Sequence, residues 1–272
     1  MTKVATIAGS DASGGAGLEA DLKTFEEYGL YGMAAVTVIA TMDPDNNWGH
    51  KVFPVEEAAL RAQLETIFKG VGVGAAKSGM LGTFYAVELA REYLSAYKTA
   101  NYVLDPVMVC KGAGEALNPE LNSAIAEKLL PLAELATPNL FEAEQLSGLE
   151  CVNSVEKMKE AARIIHGKGA RHVLIKGGAK LPNQSRALDI LYDGKDFTIL
   201  EDDLVKTSWN HGAGCTSSAA IAAGLARGLS VPDAVRLAKT FITLSLKAGF
   251  PLNQWVGPGN PSAWRSGQLF GQ

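Results

Sequence analysis

Short apolar segments alternate with helical segments along most of this 272-residue chain. Strands of a parallel sheet are apolar runs because both of their faces are covered, whereas helices carry apolar residues at spacings of three and four. This alternation predicts an α/β fold, in which helices cover both faces of a mainly parallel sheet. We predict strands at 4–8, 32–41, 74–81, 101–109, 134–139 and 171–178, helices at 17–28, 55–70, 84–98, 118–131, 140–147, 154–168, 215–228 and 231–248, and an antiparallel hairpin of 187–194 with 196–204.

Length and composition limit the domain organisation. A chain of 272 residues can form one large α/β domain or two small domains. Composition does not shift sharply anywhere, and no linker marks a boundary. We therefore expect one domain over residues 1–272.

Charge and hydropathy exclude several classes of protein. The formal net charge of −4 is unlike the basic excess of a nucleic-acid-binding protein. No apolar run approaches the ~18 residues of a membrane span, and the N-terminus lacks the apolar region of a secretory signal. We expect a cytoplasmic protein that binds neither nucleic acid nor membranes. The three cysteines, Cys110, Cys151 and Cys215, have no zinc-type spacing and do not suggest a disulfide framework.

The first candidate binding segment is the glycine-rich stretch 9–17, after the first predicted strand. Parallel sheets bind ligands at the carboxyl ends of their strands. The stretch is neither the dinucleotide fingerprint nor a P-loop, which disfavours dehydrogenases and P-loop enzymes. Ser10 and Asp11 could hydrogen-bond a small polar ligand. Alternatively, Asp11 or Ser13 only caps the following helix.

Three further strand ends carry polar side chains. Asp105 ends the fourth strand, where a carboxylate suits Mg²⁺ held through water, although an Asp-Pro pair also forms turns. Asn139 and Glu142 share one face at a helix start, where they suit a metal–phosphate cluster, a capping box, or both. Lys176 ends the sixth strand, where it either steadies a nucleotide phosphate or extends into solvent.

The segment His-Gly-Ala-Gly-Cys-Thr at 211–216 precedes a long apolar stretch rich in small residues. Glycines at a helix N-terminus leave N–H groups uncovered, and these hold a phosphate or a developing oxyanion. The partial positive charge of the helix should also lower the pKa of Cys215. The pattern predicts an anion hole with a reactive thiol, unless this is an ordinary helix start with a small core cysteine.

Two residues in predicted loops complete the candidates. His50 lies with Trp48 in a long polar loop, which is typical either of a lid or of a solvated histidine. Cys110 lies in a glycine-containing segment beyond the fourth strand, where a thiol is more often incidental than catalytic. The residues alone leave both roles open.

Taken together, these segments resemble the ribokinase-like vitamin kinases, in the branch around hydroxymethylpyrimidine phosphate kinase. Six segments occur in that family's order and span nearly the whole chain. They are TIAGSDASGGAGLEADLKTF at 6–25, AKSGML at 76–81, VLDPVM at 103–108, TPNLFEAEQL at 137–146, VLIKGG at 173–178 and HGAGCTSSAAIAAGLARG at 211–228. The resemblance implies a ribokinase-like three-layer α/β/α fold.

The resemblance also implies an activity, cofactors and site residues. The implied reaction transfers the γ-phosphate of ATP to a hydroxymethyl group on a heteroaromatic ring, with Mg²⁺ and a monovalent cation as cofactors, in a homodimer. The general base is Cys215, where more distant ribokinase relatives carry an aspartate, and the anion hole is formed by the amides from Gly212 through Gly214 to Cys215. The other implied sites are Ser10, Asp11, Asp21, His50, Met80 and Val107 for the ring substrate, Asn139, Lys176, Gly178 and Lys239 for ATP, and Asp105 and Glu142 for Mg²⁺.

Two departures from the pyrimidine kinases narrow the expected substrate. Met42 stands where those enzymes usually carry Gln or Glu to bind the pyrimidine amino group, which would lack its partner here. Cys110 stands in a lid where they usually lack cysteine. Both features, with His50 and His211, resemble a subgroup of pyridoxal kinases that use two cysteines. In that subgroup the lid thiol adds to the aldehyde as a hemithioacetal, and both thiols assist deprotonation of the 5′-hydroxyl.

We therefore expect a pyridoxal kinase, and three alternative functions are weighed against it. The first is a kinase for hydroxymethylpyrimidine or its phosphate. The second is a non-catalytic pyridoxal-binding or thiol-sensing protein, which would have no need of Asp105, Asn139 and Glu142. The third, a dinucleotide oxidoreductase, lacks its fingerprint.

Overall fold

The computed structural model describes residues 1–108, 119–182 and 184–265. Nine strands in these ranges form one sheet. The strands are β1 (Lys3–Asp11), β2 (Tyr31–Asp43), β3 (Gly49–Pro54), β4 (Ala75–Ser78), β5 (Tyr102–Leu104), β6 (Leu135–Ala136), β7 (His172–Gly178), β8 (Arg186–Tyr192) and β9 (Phe197–Asp203).

The strand order places the carboxyl ends of six strands along one edge. The order is β3-β2-β1-β4-β5-β6-β7-β8-β9. Six adjacent strands of the sheet are parallel to one another, namely β2, β1, β4, β5, β6 and β7. The remaining strands, β3, β8 and β9, run antiparallel to their neighbours. Polar residues that follow the parallel strands therefore meet at the same edge. The predicted α/β fold with a mainly parallel sheet is confirmed.

Helices cover both faces of the sheet and bury two apolar clusters. In β7, Val173 and Ile175 belong to one cluster and Leu174 to the other, because successive side chains point to opposite faces. No helix within the described ranges is long and apolar enough to cross a membrane. The helices are α1 (Gly17–Glu27), α2 (Glu57–Leu64), α3 (Phe84–Ala96), α4 (Pro119–Leu129), α5 (Leu140–Ser147), α6 (Val155–Gly167), α7 (Ala213–Ala226) and α8 (Val231–Lys247), with a π-helical turn at Glu65–Val71 and a 3₁₀ turn at Leu130–Leu132.

Helix α7 is buried on almost every side. The side chains from Ala219 to Ala223 have no exposed surface, and the helix packs against α1 and α8. Its small residues allow these neighbours to approach closely, and a helix that is apolar all round is a buried helix. Since the rest of α7 is covered, its N-terminus is the part presented to the edge of the sheet.

The predicted polar loop around His50 is confirmed as a turn at residues 44–48, which include Trp48, but is wrong at His50 itself, because residues 49–54 form strand β3. This strand pairs antiparallel with β2, and its register places His50 opposite Met42 and Phe53 opposite Ile39. An edge strand keeps one row of backbone groups unpaired and polar side chains in solvent, so its sequence lacks the apolar signal of a buried strand. His50 is therefore held in a sheet.

Candidate active site

A cleft of about 530 Å³ lies at the carboxyl ends of the parallel strands. Among the described candidates, every predicted site residue except Asp21 lines this cleft. Those residues are Ser10, Asp11, His50, Met80, Val107, Asp105, Asn139, Glu142, Lys176, Gly178, Gly212, Gly214, Cys215 and Lys239.

Asp11, at the end of β1, ties the glycine-rich loop to the segment before α7. Its carboxylate lies 2.7 Å from Nε2 of His211 and accepts the N–H groups of Ser13 and Ala16 at 2.8 and 2.9 Å. Burial raises the pKa of Asp11, but the hydrogen bonds of His211 and Ser13 outweigh burial and hold the pKa at about 2. Asp11 is therefore ionised and has two roles, because it holds the glycine-rich loop in place and also lines the cleft.

Glu19, in the first turn of α1, organises the start of the same loop and was not identified from the sequence. The Ser10 hydroxyl donates to Oε1 of Glu19 at 2.6 Å, and the Asp11 N–H donates to Oε2 at 2.7 Å. With its proton used in this way, the Ser10 hydroxyl offers a ligand an acceptor oxygen.

The start of α7 requires glycine at position 212. Gly212 has a φ of 73°, and a Cβ added there would lie 1.9 Å from the carbonyl oxygen of Gly15. The N–H of Ala213 donates to the Asn210 carbonyl at 3.2 Å. The first N–H groups of a helix have no partner within it, and Gly214 and Cys215 hold two such positions at the cleft. Of the predicted anion-hole amides, that of Ala213 is thus already bonded, and the anion hole itself stays a prediction.

The prediction of a lowered pKa for Cys215 is wrong for this structure. Burial raises the pKa of the Cys215 thiol to about 11, although the charge of Lys77 and a hydrogen bond from the Gly17 N–H act in the opposite direction. Cys215 is only partly buried and lines the cleft, but the surrounding protein still removes much of the water that would solvate a thiolate, and this cost exceeds the favourable charge of the helix N-terminus. The thiol is protonated at neutral pH.

Asp21, predicted to contact the ring substrate, lies beneath the cleft and does not line it. Its side chain is fully buried. Both carboxylate oxygens contact Nζ of Lys77, at 2.8 and 2.9 Å, and the Thr6 hydroxyl donates to one of them at 2.6 Å. Lys77, also fully buried, separates Asp21 from the cleft.

Lys77 begins a chain of alternating charges that ends at Lys176. Nζ of Lys77 lies 3.9 Å from Oδ2 of Asp105, and Oδ1 of Asp105 lies 3.1 Å from Nζ of Lys176. Burial alone would lower the pKa of Lys77, but Asp21, Cys215 and Asp105 outweigh burial and raise it. The lysines likewise hold the pKa of Asp105 below its usual value against the effect of burial. Each charge stays buried because it is paired.

The oxygen ligands in the cleft suit Mg²⁺ that is held mainly through water and phosphate. Within the described residues, no group of three or more His, Cys, Asp or Glu side chains could hold a metal ion. The Asp105 carboxylate already accepts the Ser218 hydroxyl at 2.9 Å and contacts Lys176. Mg²⁺ typically keeps several waters and binds one or two carboxylates plus substrate phosphates. Asp105 and Glu142 fit that arrangement rather than a closed protein cage.

Asn139 and Glu142 form the predicted capping box. Oδ1 of Asn139 accepts the Glu142 N–H at 3.0 Å, and Oε2 of Glu142 accepts the Asn139 N–H at 2.8 Å. Burial raises the pKa of Glu142 to about 7, although Lys176 opposes this effect. The capping role is confirmed, while the metal–phosphate role stays a prediction.

One end of the cleft, called here the nucleotide end because the family resemblance predicts ATP there, combines a polar cluster with an apolar wall. Nζ of Lys239 lies 2.5 Å from Oδ2 of Asp189, and the Gly178 N–H donates to Oδ1 of Asp189 at 3.1 Å. Ile242 and Leu246 of α8 line the cleft beside them. Lys239 and Gly178 are therefore connected through Asp189, a residue that the sequence did not single out.

The other end is called here the ring end, because the family resemblance predicts the ring substrate there. It is lined by Met42, His50, Met80 and Val107. Burial lowers the pKa of His50, and the nearby His211 lowers it further. Position 42 presents a thioether to the cleft, so it offers no strong hydrogen-bond partner for a ring amine.

Lys77 and Asp189 are functional candidates that the sequence could have suggested. Each is a charged residue within an otherwise apolar strand, in AAKS and RALDILY, and a buried charge needs a partner. Ser218 lies among the small residues of α7 and gave no such signal. Cys110 lies outside the described residues, so its predicted role stays a prediction.

The comparisons with known proteins agree on one family. A model of the phosphomethylpyrimidine kinase family matches residues 11–260. The putative pyridoxine kinase of Treponema pallidum (strain Nichols) is 58% identical over 265 residues, which are 97% of this chain and 98% of that protein.

Two solved structures have nearly the same fold. The ADP complex of Bacillus subtilis pyridoxal kinase has a TM-score of 0.94 and 54% identity, covering 97% of this chain and 99% of that chain. The pyridoxal kinase of Staphylococcus aureus in complex with AMP-PCP and pyridoxal has a TM-score of 0.92 and 48% identity, covering 97% of this chain and 95% of that chain.

Proposed function

The chain belongs to the phosphomethylpyrimidine kinase family, and from that premise we propose that it is an ATP-dependent pyridoxal kinase. It transfers the γ-phosphoryl group of ATP to the 5′-hydroxymethyl group of pyridoxal. The observation that carries this assignment is the match over 97% of the chain to a kinase structure that holds both pyridoxal and an ATP analogue. Met42 at the ring end favours pyridoxal over an aminopyrimidine, because a buried ring amine would lack its partner there.

The cleft suits a transfer between two bound molecules. The nucleotide end contains Lys239 and Gly178, the ring end contains His50 and Met42, and the N-terminus of α7 also lines the cleft. We place the reacting hydroxyl and the γ-phosphate at this N-terminus, where the amides of Gly214 and Cys215 stabilise the charge on the transferred group.

We propose that Cys215 is the general base. The substrate oxygen forms a bond to the γ-phosphorus, the bond from that phosphorus to the ADP oxygen breaks, and the hydroxyl proton passes to the Cys215 sulfur. Only the thiolate can accept this proton, and a pKa of about 11 makes the thiolate a minor species at neutral pH. Lys77 stabilises the thiolate through its positive charge.

We propose that Asp105 and Glu142 hold Mg²⁺ through water, with support from Asn139. When bound, Mg²⁺ neutralises charge on the transferred phosphate. Lys176 lines the cleft beside these groups, so its ammonium can bind a phosphate oxygen directly. A monovalent cation is part of the same proposal and rests on the family resemblance.

We also propose that Cys110 captures the aldehyde of pyridoxal. In this step a bond forms between the Cys110 sulfur and the aldehyde carbon, the π bond of the carbonyl breaks, and the proton lost by the thiol is taken up by the aldehyde oxygen to give a hemithioacetal. Capture fixes the orientation of the ring, which lowers the entropic cost of the transfer.

Three proposals concern the protein as a whole. The single sheet through the described residues supports one domain over residues 1–272. A homodimer and a cytoplasmic location rest on the family resemblance and the sequence alone.

The assignment is tested by ADP release in a coupled assay with pyridoxal, pyridoxine, pyridoxamine and hydroxymethylpyrimidine. We expect turnover of pyridoxal, with the pyrimidine as a weaker substrate. Negligible turnover of pyridoxal beside rapid turnover of the pyrimidine would identify a thiamine-pathway kinase instead. Binding of pyridoxal without ADP release from any substrate would identify a non-catalytic binder.

A further inference from the structure

The tip of the β2–β3 hairpin, residues 43–49, is strained. Asn47 and Trp48 are consecutive non-glycine residues with φ angles of 48° and 62°. The left-handed region is unfavourable for L-residues, most of all for a bulky aromatic residue. The tip is closed by the N–H groups of Asn46 and Trp48, which donate to the Asp43 carbonyl at 3.3 and 3.0 Å. Such strain persists where surrounding structure holds it in place.

The contact that holds this tip is a stack of two tryptophans. The rings of Trp48 and Trp255 lie 5.8 Å apart between centroids and are inclined by 16°. Within the described part of the chain, the buried indole N–H of Trp48 has no hydrogen-bond acceptor. Stacking, rather than a hydrogen bond of the indole, therefore fixes the position of Trp48.

Trp255 belongs to a C-terminal loop, residues 250–258, that has its own hydrogen bonds. The Asn253 carboxamide oxygen accepts the N–H groups of Trp255 and Val256 at 2.9 and 3.0 Å. The Gly257 carbonyl accepts the His211 N–H at 3.1 Å. The C-terminal loop is thus attached to the residue directly before Gly212, and it carries Trp255 to the hairpin tip.

The strands that leave the hairpin tip carry two residues of the ring end. Met42 and His50 are register partners, directly beyond the partners Asp43 and Gly49. Both side chains line the cleft, whereas Trp48 and Trp255 do not. A shift of the tip therefore moves Met42 and His50 together.

We propose that Trp48 and Trp255 are positioning residues for the ring substrate, because their stack holds the hairpin tip so that Met42 and His50 close the ring end of the cleft. This inference rests on the proposed function, which assigns the ring end to pyridoxal. The two tryptophans act through Met42 and His50 and touch neither substrate.

The test compares variants that remove the stack from either side. We expect Trp255→Ala and Trp48→Ala each to raise the KM for pyridoxal at least fivefold and to leave the KM for ATP within twofold of the wild-type value. Trp255→Phe keeps an aromatic ring, so its KM values for pyridoxal and for ATP should stay within threefold of the wild-type values. The KM of the double variant for pyridoxal should be no higher than that of the more impaired single variant, since both substitutions remove the same contact.

The matched control is Trp264→Ala, which removes another tryptophan stack near the C-terminus. Trp264 stacks on Tyr28 at 6.3 Å and does not line the cleft. We expect it to lower the melting temperature without changing the KM for pyridoxal. The melting temperature of every variant is recorded, and Trp48→Ala tests the stack even when Trp255→Ala does not fold.

Two results would overturn the inference. One is an unchanged pyridoxal KM in folded Trp255→Ala or Trp48→Ala. The other is an equal rise in both KM values, which would indicate a general loss of structure. The proposed function is tested separately in the wild-type enzyme, and it is contradicted if that enzyme does not phosphorylate pyridoxal.

Discussion

The ammonium group of Lys77 lies 2.8 Å from a carboxylate oxygen of Asp21, and both side chains are fully buried beneath the cleft. This pair places a fixed positive charge between Asp21 and Asp105, within electrostatic reach of Cys215. A lysine in an interior strand is costly unless its charge is compensated. The pair therefore connects the stability of the sheet to the electrostatics of the proposed base.

Replacing Lys77 by Met should strongly destabilise the protein. The substitution leaves the Asp21 charge buried and uncompensated, and breaking a buried pair from one side costs about 3–5 kcal/mol. Urea unfolding followed by circular dichroism measures the free energy of unfolding. The double variant Lys77→Met, Asp21→Asn should recover part of the loss, and a Lys77→Met protein as stable as wild type would contradict the pairing.

The rate of phosphorylation should rise with pH between 7 and 9. The base is active as a thiolate, and the pKa of Cys215 is raised to about 11, so the thiolate fraction grows roughly tenfold per pH unit throughout this range. The measurement is kcat/KM for pyridoxal against pH. Cys215→Asp is the matched control, because a carboxylate is already ionised at pH 7 and should give a flat profile. A wild-type profile that is flat from pH 7 to 9 would exclude Cys215 as the base.

The parts of the molecule that the sequence predicted correctly depend on local signals. The capping box of Asn139 and Glu142 follows from a three-residue spacing, and the strand and helix alternation follows from apolar periodicity. Strand β3 was missed because an exposed edge strand lacks that periodicity. Its position is set by pairing with β2 across the hairpin tip.

Long-range packing decided the site features that the sequence did not predict. Asp21 and Lys77 are 56 residues apart, so no spacing rule indicates that the lysine covers the carboxylate. The pKa of Cys215 depends on how completely distant segments exclude water from the thiol. The helix N-terminus was a correct local signal, but desolvation outweighed its charge.

Asp11 should contribute to stability in a defined acidic range. Its pKa is about 2, below the ordinary value of 3.8, so its contribution is fully present above pH 3.8 and is lost as the pH falls through 2. The difference corresponds to about 2 kcal/mol. Urea unfolding at pH 5 and at pH 3 measures about half of this loss, on the order of 1 kcal/mol, because the folded-state pKa of about 2 lies below pH 3. Asp11→Asn should reduce the difference between these two values, and an unchanged difference would contradict an ionised, hydrogen-bonded Asp11.

Replacing Cys110 by Ala should affect pyridoxal and pyridoxine differently. Pyridoxal carries an aldehyde that a thiolate attacks, whereas pyridoxine carries an alcohol at the same position and cannot form a hemithioacetal. We expect Cys110→Ala to lower kcat/KM for pyridoxal at least tenfold and to lower that for pyridoxine much less. Cys151→Ala is the matched control, because Cys151 is exposed and does not line the cleft. Equal losses for both vitamers would mean that Cys110 acts without bonding to the aldehyde, and an unchanged pyridoxal rate would remove it from the mechanism.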